Sequence, residues 1–239
     1  GADNLDEFWK MLVEGRSSVR ELGPDRLDQE LYFDPDVGVR GKTYSKLASI
    51  CSSREFDHQA CPIPDQMVRS ADNVHLLMCE TAANALRNAG LDPFNVKDKN
   101  TGVYIGHAAA SGAAGDFTYA TLIAETAKYL REAVGFEQLA DGLEDQIIQE
   151  MIDRVRRKAP QRIHNGGPFF GASLAARLIA RTFALNGPCM SFNAACASSS
   201  RALAQGMRAL QLGSVDMAIV GGASYFHSDT LVLFSQSRS

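Results

Sequence analysis

Two short apolar runs bounded by glycine constrain the fold of this chain more than anything else in it. Gly102-Val103-Tyr104-Ile105-Gly106 is brief and β-branched, and Asp216-Met217-Ala218-Ile219-Val220 is ended by Gly221-Gly222. Runs of this kind read as strands buried on both faces, as in a parallel sheet. Cys189–Asn193 reads as a further short strand.

Helical patterns alternate with these strands. Asn4 and Glu7 have capping-box spacing, and Leu5, Phe8, Trp9, Leu12 and Val13 follow at i, i+3, i+4, i+7 and i+8 before Gly15. That spacing predicts an amphipathic helix with one buried face. Residues 16–72 are less periodic and read as loops with short elements. From Asp72 or Asn73 as cap, Val74, Leu77, Met78, Thr81, Ala82, Ala85, Leu86 and Ala89 form a second stripe that stops at Gly90. On that wheel His75 falls on the polar side and is expected at the surface. Ser173–Leu185, with Ser173 as a possible N-cap, and Ser198–Leu212 read as further helices. Alternating helices and short apolar strands predict an α/β fold, with helices layered on a mixed, largely parallel sheet.

Residues 118–162 form a charged helical stretch, acidic in the middle (Glu125, Glu132, Glu137, Asp141, Glu144, Asp145, Glu150) and basic at the end (Arg154, Arg156, Arg157, Lys158, Arg162). The basic end is read either as a solvated helix terminus or as a surface that meets an acidic partner. No Pro/Gly/Ser-rich linker divides the chain.

Composition removes several function classes. The 24 basic and 28 acidic residues leave a net charge of −4, with no general pull toward nucleic acid or an anionic membrane. No apolar run approaches the ~20 residues of a membrane span, and the first residues show neither the basic nor the apolar region of a signal peptide. The five cysteines, Cys51, Cys61, Cys79, Cys189 and Cys196, include no Cys-x-x-Cys pair. They read as free thiols of a reducing, cytoplasmic setting, with no metal site expected.

One thiol stands apart. In Gly187-Pro-Cys-Met-Ser-Phe-Asn-Ala-Ala-Cys-Ala-Ser-Ser-Ser200 a strand runs into a small-residue turn and the turn into a helix, with Cys196 at the turn. The turn can lift the thiol clear of the backbone. The helix N-terminus favours an anionic sulfur, and backbone N–H groups there, that of Cys196 among them, can stabilise an oxyanion. The flanking alanines, Ala195 in particular, leave space for a thioester. On position alone, a small buried cysteine is an equally good reading.

The segment resembles the active-site motif of β-ketoacyl synthases, the condensing enzymes of the thiolase superfamily, whose typical form is Gly-Pro-x-x-x-x-Asp-Thr-Ala-Cys-Ser-Ser-Ser. Gly187, Pro188, Ala195, Cys196, Ser198 and Ser199 match, while Asn193, Ala194 and Ala197 depart from the usual Asp, Thr and Ser. The similarity is colinear elsewhere. Asn4–Glu14 is similar to the first helix, Phe56-Asp57 with Pro62-Ile63-Pro64 to the Phe-Asp…Pro stretch, 74–90 to the Ala-Leu-x-x-Ala-Gly element and 102–106 to the Gly-Val-Tyr-Ile-Gly strand. Ser214–Gly222 and Phe234-Ser235-Gln236 match the segments beyond the nucleophile. The loop from His107 and the charged insertion resemble the iterative type of polyunsaturated fatty-acid and heterocyst-glycolipid synthases.

The resemblance implies a thiolase-like fold, of which residues 1–239 would be the N-terminal half, incomplete at both ends. It implies that Cys196 takes an acyl chain from the phosphopantetheine arm of an acyl carrier protein, with no cofactor bound by the chain itself. Decarboxylative Claisen condensation with malonyl-carrier thioester then gives a 3-ketoacyl product in polyketide or fatty-acid synthesis. It implies a homodimer with 189–193 near the interface, and Phe170 as a possible wall of the acyl pocket. The two histidines that serve decarboxylation lie in His-Gly-Thr and Gly-His motifs of the second half. No His-Gly-Thr occurs here, and Gly106-His107 precedes the nucleophile. None of His58, His75, His107, His164 and His227 is therefore given that role, although His107 could line a cleft, and the chain alone is expected not to condense. The competing reading is a ketosynthase-like subunit that sets chain length without acylation. Hydrolase and dinucleotide-enzyme readings lack their Gly-x-Ser-x-Gly and Gly-x-Gly-x-x-Gly motifs.

Overall fold

The structure is a computed structural model describing residues 2–51, 56–58, 61–64, 67–68, 71–96, 100–108, 112–139, 142–158 and 171–237. The chain divides into two compact units, Gly1–Glu55 with Phe226–Ser239, and Phe56–Tyr225.

The larger unit is built on a parallel sheet. Strand β3 (Thr101–His107) lies between β4 (Cys189–Phe192) and β5 (Met217–Ala223). Val103 pairs with Cys189 and Ile219, and Gly106 with Phe192 and Gly222. Every residue of β3 is buried, as its glycine-bounded apolar run requires. Its side chains divide by alternation. Tyr104 faces helix α7 (Ser198–Gln211), where Ala202, Ala209 and Val215 enclose it. Val103 and Ile105 face the opposite layer, helices α3 (Asn73–Asn88) and α6 (Ala172–Thr182), through Cys79, Ala83, Leu178 and Ile179. Strand β5 does not end at Gly221-Gly222. It continues to Ala223, paired with His107, because both glycines stay in the ladder, Gly221 paired with Ile105 and Gly222 with Gly106.

The helix expected over 74–89 forms, but its buried stripe is rotated. His75, Leu76, Cys79, Glu80, Ala82, Ala83 and Leu86 face inward, while Thr81 and Ala85 are exposed. His75 is 0% exposed, so its expected surface position is corrected. Two polar residues lie on that inner face: the His75 ring meets another histidine edge to face, and Glu80 accepts from the Asp57 backbone N–H at 2.8 Å. Helix α6 begins at Ala172 from Gly171, so Ser173 is not its N-cap. The charged stretch is two helices, α4 (Gly112–Arg131) and α5 (Leu143–Lys158), separated by Gly135 and Gly142 in left-handed conformation. They pack through Ile123, Ala127 and Ile148, and Arg131 bonds Glu144 and Asp145 at 2.9 and 2.8 Å. Residues 159–162 lie outside the described residues.

In the smaller unit, α1 (Leu5–Val13) starts from the expected capping box. The Glu7 N–H donates to Asn4 Oδ1, and the Asp3 N–H to Glu7 Oε2, both at 2.9 Å. The expected buried face is not found: α1 has no buried residue, and Trp9 is 68% exposed. Strands β1 (Arg20–Glu21) and β2 (Leu47–Ala48) pair antiparallel, α2 (Gln29–Tyr32) is a single turn, and α8 (Ser228–Ser237) is tied to the loop before β2. Ser235 and Thr43 hydroxyls bond at 2.9 Å, and Gln236 Nε2 donates to the Val39 and Lys42 carbonyls. Among the described residues no helix is long and apolar enough to cross a membrane.

Candidate active site

Strand β4 delivers the chain to the C-terminal end of the sheet, where ligands of parallel α/β sheets characteristically bind. Residues 193–197 then make a tight turn, and α7 departs at Ser198. Ala195 has φ +48, in the left-handed region that non-glycine residues avoid. The turn is held from several sides. The Ser198 hydroxyl accepts from the Ala194 N–H at 2.9 Å and donates to the Ala195 carbonyl at 2.6 Å. The Ala195 N–H reaches Asn193 Oδ1 at 3.3 Å, so Asn193 keeps an acceptor where the typical motif has Asp. The Ala197 and Ser198 amides donate to the Ala194 and Ala195 carbonyls.

Two glycines seat this turn on the sheet. A Cβ at Gly106 would overlap the Ser198 carbonyl carbon and the Ser199 amide nitrogen, and one at Gly222 would overlap the Ser199 hydroxyl. The first turn of α7 therefore rests directly on the backbones of β3 and β5. Sequence reasoning missed this role. The glycines at the strand ends were visible, but their contact with a helix more than ninety residues from Gly106 was not.

Cys196, one residue past the strained Ala195, is exposed. Cys61 and Cys79 are buried, and the Cys79 thiol is pushed far up by its bond to Cys61 and by burial. Burial also raises Cys189. Cys51 is exposed but sits outside the sheet unit. Of the two exposed thiols, Cys196 alone stands at the joint of a strand and a helix. Phe170 lies outside the described residues.

His107 is 1% exposed. Its Nδ1–H donates to the Ala223 carbonyl at 3.1 Å, and its ring meets His75 edge to face at 5.5 Å. The His58 ring meets Phe56 edge to face, and His227 pairs with Asp229 at 3.0 Å. His164 lies outside the described residues.

A parallel sheet flanked by helices carries an exposed thiol at a strained strand–turn–helix joint, and comparison with known proteins gives the family. The family described as "Beta-ketoacyl synthase, N-terminal domain" matches residues 1–239, and the chain belongs to it. It is 37% identical over 108 residues to the phenolphthiocerol synthesis polyketide synthase type I Pks15/1 of Mycobacterium marinum, covering 44% of this chain and 5% of that protein. It is 31% identical over 137 residues to the phthioceranic/hydroxyphthioceranic acid synthase of Mycobacterium bovis, covering 57% of this chain and 6% of the relative. The chain thus spans about a twentieth of the length of these relatives.

Among solved structures, the oxazolomycin ketosynthase domain OzmH KS7 of Streptomyces albus aligns over 99% of this chain and 34% of its own, with TM-score 0.69 and 22% identity. The ketosynthase from module 6 of the bacillaene synthase of Bacillus subtilis aligns over 99% of this chain and 32% of its own, with TM-score 0.68 and 20% identity. The thiolase-like fold expected from the sequence is therefore present, in the part that corresponds to an N-terminal half.

Proposed function

We propose that Cys196 is the acyl-accepting nucleophile of a polyketide-type condensing enzyme. The thiolate attacks the carbonyl of an acyl thioester on the phosphopantetheine arm of an acyl carrier protein. The tetrahedral oxygen is met by backbone N–H donors at the turn, that of Cys196 first, and the carrier thiolate leaves. The acyl-Cys196 is then attacked by the enolate formed when a malonyl-carrier thioester loses CO₂. A 3-ketoacyl carrier product forms and the Cys196 thiolate is released. Ala195 keeps the approach to sulfur narrow but open. The observation that carries this reading is the exposed Cys196 directly after left-handed Ala195 at the start of α7.

Residues 1–239 contain no His-Gly-Thr motif, so by themselves they are proposed to load an acyl chain without condensing it. The phosphopantetheine belongs to the carrier partner, the chain holds no cofactor of its own, and the working form is a cytoplasmic homodimer. A chain-length-setting subunit that is never acylated has the exposed Cys196 against it.

The test is acyl-thioester labelling with peptide mapping. Acylation of Cys196 ahead of Cys51 and Cys189, abolished in Cys196→Ala, is the expected result. Equal modification of the exposed thiols overturns the reading, and a full-length Cys196→Ala protein that keeps its elongation rate would establish the structural alternative.

A further inference from the structure

Behind the glycine seat lies a pair of buried rings to which the acylation reading gives no task. His107 and Ala223 are the last register pair of β3 and β5, one step beyond Gly106 and Gly222. The His107 side chain adds a bond to that pair, Nδ1–H to the Ala223 carbonyl at 3.1 Å. A carbonyl only accepts, so the ring proton sits on Nδ1. Strand alternation turns His107 away from α7 and toward α3, where His75 meets it with rings 87° apart. His75 is wholly buried. Neither of its nitrogens, nor Nε2 of His107, has a hydrogen-bond partner among the described residues. Buried polar nitrogens are normally satisfied, so the cluster calls for an explanation beyond packing.

We infer that the His75–His107 pair positions Cys196: His107 clamps the ends of β3 and β5 beneath the first turn of α7, and an uncharged His75 backs that clamp from α3, so that acid which charges His75 loosens the turn and slows acylation. This rests on Cys196 being the acylated nucleophile. Both histidines are positioning residues and touch no substrate.

The groups acting on His75 are few. Burial and the facing His107 of β3 push its pKa down to about 4, while Asp72 at the cap of its own helix pulls the other way. The Asp72 carboxylate accepts from the Val74 N–H at 3.3 Å. Glu80, one turn on, is bonded to the Asp57 amide. Strand β5 has no titratable side chain. On α6, Arg177 acts on Cys189 and Arg181 is exposed.

The sign follows by linkage. The folded value lies below the free imidazole value of about 6.5, so the loosened state binds more protons between the two. The clamp is at full strength above about pH 6.5, weakens about tenfold per unit as pH falls below it, and stops weakening below the folded value.

Hydrogen exchange of the full-length protein reads the opening directly. Corrected for intrinsic rates, protection of residues 192–200 and 219–223 is expected to fall roughly fifteen-fold between about pH 6.5 and pH 5, and less than about threefold in His75→Gln. His75→Met is the second variant should glutamine prevent folding. His107→Asn, which keeps a donor for the Ala223 carbonyl, is expected to retain neutral-pH protection that His107→Leu loses. In parallel, the ratio of Cys196 to Cys51 alkylation by iodoacetamide is expected to fall with pH in the wild type and to stay flat in His75→Gln. Equal pH responses in wild type and His75→Gln overturn the inference, as does equal protection in the Asn and Leu variants. If protection responds as expected but Cys196 reacts no faster than Cys51 at neutral pH, the acylation reading fails, and with it the role in acylation.

Discussion

Replacing Gly106 with alanine puts a methyl group where the backbone of α7 already lies. The new Cβ would overlap the Ser198 carbonyl carbon and the Ser199 amide nitrogen, neither of which can rotate away. Either β3 shifts, breaking register with Phe192 and Gly222, or the first turn of α7 lifts and carries Cys196 with it. Overpacking that demands such a shift costs about 1–3 kcal/mol, and rigid neighbours place this site at about 3. For a domain of this size that lowers Tm by about 6–12 °C.

Strand β5 supplies the internal standards. A Cβ at Gly221 would sit 3.5 Å from Ile105 Cδ1 and 3.8 Å from Met78 Cε, ordinary contact distances. Gly221→Ala is expected to be neutral or stabilising by up to about 1 kcal/mol, through the unfolded chain. Gly222→Ala falls between, since the Ser199 hydroxyl can swing aside and only Ser199 Cβ, 3.1 Å away, must then give slightly. Thermal melts of the three variants, with the alkylation rate of Cys196 measured alongside, test the ranking. A Gly106→Ala protein that melts with Gly221→Ala refutes the claim that α7 rests on the strand backbone.

Other substitutions probe the turn and the thiols. Ser198→Ala removes an acceptor for the Ala194 amide and a donor for the Ala195 carbonyl, and is expected to cost about 1–3 kcal/mol in urea unfolding while slowing Cys196 alkylation. With a soluble thiol reagent, Cys51 and Cys196 are expected to titrate in the native protein, and Cys61 and Cys79 only after denaturant is added. Arg131→Ala removes exposed ion pairs to Glu144 and Asp145, and its urea midpoint is expected to move by less than about 1 kcal/mol equivalent.

The features legible in advance were those set by local chemistry. The glycine-bounded run at 102–106 reads as a buried strand, and the small-residue turn at 193–197, together with its resemblance to a known motif, singled out Cys196. The Asn4–Glu7 cap was legible because it closes within one turn. What escaped depended on partners distant in sequence. The face of α3 was misjudged because His75 and Glu80 are buried against groups elsewhere in the chain, which a helical wheel scores as surface. Helix α1 has the spacing of a packed helix, yet its apolar side chains are exposed, since periodicity reports that a face is apolar and not what lies against it. The glycine seat combined both difficulties: it needed the strand register and the helix crossing together.

The route of the chain between β3 and β4 has a consequence for how such proteins can vary. Those strands are immediate neighbours, yet the chain leaves one and returns to the other only after α4, α5 and α6. The entropy of closing such an excursion rises only with the logarithm of its length, each doubling adding about 0.6 kcal/mol. The helical pair α4–α5 can therefore be lengthened, trimmed or exchanged at little thermodynamic cost while the strands beneath Cys196 stay in register. In this fold, freedom to change size is concentrated beside the residues that have none.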